Sequence, residues 1–69
     1  MASKIRLSDG RELMIGLSGK RTAEALESTL KDGRPFVQFN TLQKSKVWVN
    51  PVHVAAVEDR PDLDSDGAA

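Results

Sequence analysis

The chain has sixty-nine residues, no cysteine, one histidine, and ten basic residues against ten acidic ones, which confines it to one small domain. No disulfide can staple it, and His53 alone cannot build a closed tetrahedral zinc site, so no metal or cofactor is expected. A chain of this size buries only about 60% of the surface its unfolded form exposes. The supports left to it are core packing and self-association.

Met1-Ala2-Ser3-Lys4 leads straight into an alternating segment, not the apolar run of a secretory signal. No stretch approaches the ~20 apolar residues of a membrane helix. A cytoplasmic protein without membrane contact is expected, and the missing cysteines fit a reducing compartment. The charge is unevenly placed: residues 1–58 carry nine Lys/Arg against six Asp/Glu, while 59–69 carry Arg60 against Asp59, Asp62, Asp64 and Asp66. The expected organisation is a mildly basic β-rich domain over 1–58 and a disordered acidic tail over 59–69.

Ile5 and Leu7 alternate with Lys4, Arg6 and Ser8, and Leu13, Ile15 and Leu17 alternate with Glu12, Met14 and Gly16. This is the period of two half-buried strands, and Asp9-Gly10 between them signals a hairpin. A two-residue turn would set Leu7 against Glu12 and mix the faces. A three-residue loop, Ser8-Asp9-Gly10 with Gly10 left-handed, pairs Ile5 with Leu13 and Arg6 with Glu12 instead. Ser18-Gly19 breaks the second strand. Thr22 to Asp32 then predicts a helix with Ala23, Leu26 and Leu30 on its buried face, ended by Gly33 and Pro35.

Phe36 to Thr41 and Lys46 to Asn50 predict two further strands. The preferred register joins Phe39 with Val47 and Val37 with Val49 beneath the helix and sends Trp48 to the other face. Asn50-Pro51 predicts a single helical turn over Pro51–His53, and Val54 to Glu58 a last strand. The fold class is therefore α+β, a small antiparallel sheet in the order β-β-α-β-β-β with one helix on one face.

Asp62, Asp64, Asp66 and Gly67 match the opening of a calcium loop, but the bidentate glutamate is missing and the acidic tail is the preferred reading. Ser18-Gly19-Lys20-Arg21-Thr22 joins a glycine turn to a helix start, where free N–H groups and two cations suit an anion. It is no P-loop, since Met14 stands where the first glycine belongs. His53 has no cysteine or tyrosine to act with, and an ordinary surface histidine is preferred. Trp48, with Phe36 and Met14, is the candidate interface, because a helix that covers one face of a sheet leaves an apolar group on the other in need of a partner. Lys44 and Lys46 next to these aromatics resemble the mix of cations and stacking rings used on single-stranded nucleic acid.

The run Lys44-Ser45-Lys46-Val47-Trp48-Val49-Asn50-Pro51-Val52-His53-Val54 resembles the closing strands of LytTR DNA-binding domains, with one extra residue inside the motif. The likeness covers under a fifth of the chain, and no functional residue is carried over from it. The expected function is a small non-catalytic binding or assembly module, homodimeric or bound to another protein. One alternative is a nucleic-acid-binding regulator using Lys20, Arg21, Lys44 and Lys46. Another is an accessory subunit whose partner supplies any catalytic groups.

Overall fold

The first hairpin is built on Gly10, whose φ of +95° lies in the left-handed region that glycine enters without strain. Its N–H donates to the Leu7 carbonyl (3.0 Å) and the Leu7 N–H to the Arg11 carbonyl (2.8 Å), which closes the three-residue loop Ser8–Gly10. Strands β1 (Ala2–Leu7) and β2 (Glu12–Ile15) then pair in the expected register, Ile5 opposite Leu13 and Arg6 opposite Glu12. This computed structural model describes residues 2–62.

The remaining elements are helix α1 (Gly19–Lys31), strands β3 (Val37–Asn40) and β4 (Lys46–Val49), a 3₁₀ turn (Pro51–His53) and strand β5 (Val54–Arg60). The order is the α+β order read from the sequence, but the strands divide into two antiparallel sheets, β2-β1-β5 and β3-β4. They meet at the end of β2, where Ile15 bridges Thr41, the Gly16 N–H donates to the Asn40 carbonyl and the Leu42 N–H to the Met14 carbonyl. In the second hairpin Val37 faces Val49 and Phe39 faces Val47, the register preferred from parity.

Among the buried apolar residues Ile5, Ile15, Leu26, Phe39 and Val49 form the core, one each from β1, β2, α1, β3 and β4. Val54 and Val57 of β5 pack against them. The outer face of the three-stranded sheet is charged instead. Lys4 Nζ lies 3.5 Å from Glu12 and 3.7 Å from Glu58, and Arg6 reaches Glu12 as well. Exposed pairs of this kind stabilise little, but they leave that face needing no second layer.

The helix differs from the expectation in two respects. It starts at Gly19 with Ser18 as its N-cap, three residues before Thr22, and it ends before Asp32. Its buried face is Thr22, Leu26 and Thr29; Ala23 and Leu30 are exposed. The reason is polar. Thr22 Oγ1 and Ser3 Oγ share a 2.8 Å hydrogen bond, and both residues are 0% exposed, which fixes the rotation of the helix over β1. Counting apolar residues alone selects Ala23 and Leu30, because threonine does not register in that pattern.

The domain also runs further than the expected boundary at residue 58. Asp59 and Arg60 belong to β5, opposite Ser3 and Ala2. The rest of the expected acidic tail, from residue 63 onward, lies outside the described residues. No helix among the described residues is long and apolar enough to cross a membrane.

The Ser3–Thr22 bond generates a test. Ser3→Ala or Thr22→Val alone should destabilise by about 1–3 kcal/mol, because each leaves a buried hydroxyl or its partner unsatisfied. The double variant should cost clearly less than the sum of the two. Urea denaturation of the four proteins measures this; additive losses would show that the two hydroxyls do not act as a pair.

Candidate association surface

Alternation along β4 places Val47 and Val49 toward the core and Trp48 away from it. Trp48 is 60% exposed and Phe36, just before β3, is 55% exposed. The register carries them onto the same outer face, Trp48 opposite Gln38 and Phe36 diagonal to it. The two rings border two surface clefts in common. Met14, expected beside them, is not brought to this patch. Its partner across the sheet is Lys4, its carbonyl accepts from Leu42 at the hairpin loop, and it lines neither cleft.

The larger cleft, of ≈ 680 Å³, runs alongside β4. Consecutive residues Val47 to Asn50 form one wall, and the first hairpin from Leu7 to Leu13 forms the opposite one. His53 closes one end, where its carbonyl accepts from the Ser8 N–H at 2.7 Å. Asp9 on the rim accepts hydrogen bonds from the Arg11 backbone N–H (3.0 Å) and from Arg11 Nε (2.8 Å). The backbone bond, followed by the Arg11 side chain, holds the Asp9 carboxyl below the usual carboxylate range.

The candidate basic residues Lys20, Arg21, Lys44 and Lys46 are all exposed. Lys4, Arg6, Arg11, Arg34 and Arg60 each pair with a carboxylate, whereas none of these four does so among the described residues. They lie in two segments, the start of α1 and the β3–β4 loop with the first residue of β4. The loop carrying Lys44 is joined to the end of β2 through Thr41, and α1 begins four residues after that same strand. Lys44 has φ +66°, a conformation normally left to glycine or asparagine, so turn geometry does not account for a lysine there.

The helix start itself is not an open anion cradle. The Gly19 N–H donates to Asp59 Oδ1 at 2.8 Å, and the Arg21 N–H donates to Ser18 Oγ at 3.3 Å. Asp59 thus supplies the negative charge that the first turn lacks, opposite the positive end of the helix dipole. The sequence reading missed this residue because its partner is forty positions away and its neighbours read as tail. Asp62, the first carboxylate of the calcium-like run, is held by two bonds from Arg60, and the run's remaining residues lie outside the described ones. No cluster of three metal-binding side chains occurs among the described residues.

Asp59→Ala should destabilise the fold by about 1 kcal/mol, the scale of losing a helix-terminal acceptor. Asp59→Asn, which keeps a carbonyl oxygen in place, should recover much of that loss. Thermal melts of the two variants decide the matter; indifference to both would mean that Asp59 does not anchor the helix. No family model, curated protein or solved structure matches the chain.

Proposed function

We propose that the protein is a small non-catalytic assembly module that self-associates through the outer face of the β3–β4 hairpin. The observation that carries this reading is Trp48, 60% exposed on a strand whose flanking valines face the core. Covering what remains exposed of Trp48 and Phe36 removes on the order of 250 Å² of apolar surface per copy, about 6 kcal/mol at ~25 cal/mol per Å². Two copies therefore gain about 12 kcal/mol against an association cost of roughly 4–15 kcal/mol. The two terms are of the same order, so a dimer formed this way is reversible and its population depends on concentration.

Trp48→Lys should therefore give a monomer at concentrations where the wild type sediments as a dimer, and the melting temperature of the variant should no longer depend on concentration. Sedimentation velocity over a hundredfold concentration range reads both proteins. A wild type that stays monomeric throughout would contradict the proposal.

A second reading, nucleic-acid binding, is favoured by the four exposed cations without carboxylate partners among the described residues and by the lysine at a left-handed position. Four phosphate contacts give a log–log salt slope of about −3 to −4 on duplex DNA. Filter retention of duplex and single-stranded DNA at rising salt tests it: wild type should bind at low salt and Lys44→Glu/Lys46→Glu should not. No retention at low salt would remove this reading and leave the first untouched.

A further inference from the structure

The β4 strand has an open edge. In the second hairpin the Thr41 N–H donates to the Ser45 carbonyl, so Thr41 and Ser45 form a hydrogen-bonded pair. Antiparallel pairs alternate between bonded and non-bonded. Phe39–Val47 and Val37–Val49 are then bonded, while Asn40–Lys46 and Gln38–Trp48 are not. The backbone of Asn40 accordingly points away from β4, and its carbonyl accepts from Gly16 on the β2 side. By the same alternation the N–H and C=O groups of Lys46 and Trp48 point away from β3. Neither backbone has a further hydrogen-bond partner among the described residues.

The Trp48 groups face the ≈ 680 Å³ cleft, which Val47 to Asn50 line, while Lys46 stands on the same edge just before that stretch. Three consecutive residues of β4, Val47 to Val49, and the following Asn50 line it, as happens when a strand is seen edge-on, and Phe36 is its only contact from around β3. An extended residue occupies roughly 160 Å³ at the usual spacings of ~3.3, ~4.8 and ~10 Å. The cleft thus has room for about four residues of extended chain, which equals the length of β4.

Its charges are already satisfied. Asp9 pairs with Arg11 at 2.8 Å, and Glu12 with Lys4 and Arg6, each at 3.5 Å. Between these rim groups lie Leu7, Leu13, Val47, Trp48 and Phe36. Among the residues that line the cleft an occupant finds no unpaired counter-ion, only apolar walls on both sides; Lys46, unpaired among the described residues, lies outside that lining.

We propose that this cleft takes an extended, uncharged peptide segment of a partner protein, added as a strand to the free edge of β4. The Trp48 backbone supplies the ladder inside the cleft and Lys46 continues it along the same edge, and Leu7, Leu13 and the Trp48 ring contact its alternate side chains. This edge site shares Trp48 and Phe36 with the outer face but uses the free backbone of β4, so amide protection at Lys46 and Trp48, which packing on the outer face does not require, tells the two apart.

The test uses the full chain and a phage-displayed library of random eight-residue peptides. The expected result is enrichment of uncharged sequences with apolar residues at alternate positions. A synthetic copy of one of them should slow amide hydrogen exchange at Lys46 and Trp48 at least tenfold. Lys46→Pro removes an edge N–H that the fold's own ladder does not use, and Pro is tolerated at the start of an edge strand. It should weaken binding at least tenfold with unchanged circular dichroism. Absence of enrichment overturns the proposal, as does enrichment of acidic peptides that leave those two amides exchanging freely. Protection of the two amides without peptide, rising with protein concentration, also overturns it by placing a second copy on the edge. Should Lys46→Pro misfold, the exchange measurement on the native chain decides alone.

Discussion

Five buried apolar side chains, each from a different element, have to be closed off by one helix of thirteen residues. That constraint governs the rest. Apart from the small Ala2 on β1, Ile5, Ile15, Leu26, Phe39 and Val49 are the buried apolar residues of these five elements, so none of them can be lost cheaply and no element has a spare layer. Truncating such a residue in a core typically costs 2–5 kcal/mol, a large part of the stability of a domain this small. The helix serves both sheets at once, packing on β1, β3, β5 and the 3₁₀ turn. Two polar anchors set its position: Thr22 against Ser3 in the interior and Gly19 against Asp59 at the rim.

Because one helix covers the inner side only, the two outer faces have had to solve exposure separately. The three-stranded sheet does so with charge, through the ladder of Lys4, Arg6, Glu12 and Glu58. The β3–β4 hairpin does not. It presents Phe36, Gln38 and Trp48, with Lys46 the one cation on its second strand. Two sheets of one molecule with such different outer faces fit the proposal that water covers the first and another surface the second.

Much of this was legible in the residues. Both hairpin registers followed from parity and turn chemistry, since Gly10 admits the left-handed loop and a shift of one residue would have turned Val47 and Val49 outward. The Asn50-Pro51 turn followed from capping, and Asn50 Oδ1 does accept from the Val52 N–H at 3.0 Å. What escaped was every feature set by a polar contact between distant residues. The helix face depends on Ser3 meeting Thr22, the true extent of β5 on Asp59 meeting Gly19, and the division into two sheets on how little of β2 and β3 can pair. The cleft beside β4 belongs to the same class, since its walls come from strands that pairing rules alone do not bring face to face.

The central claim concerns the outer face of the second hairpin, and the chain supplies its own reporter, because Trp48 is its single tryptophan. Fluorescence of the unmodified protein across a wide concentration series, with acrylamide as quencher, reads the environment of that ring directly. Self-association through this face predicts a blue shift and a falling quenching constant as concentration rises. Emission typical of a water-exposed indole, with undiminished quenching at the highest concentration, would contradict the account.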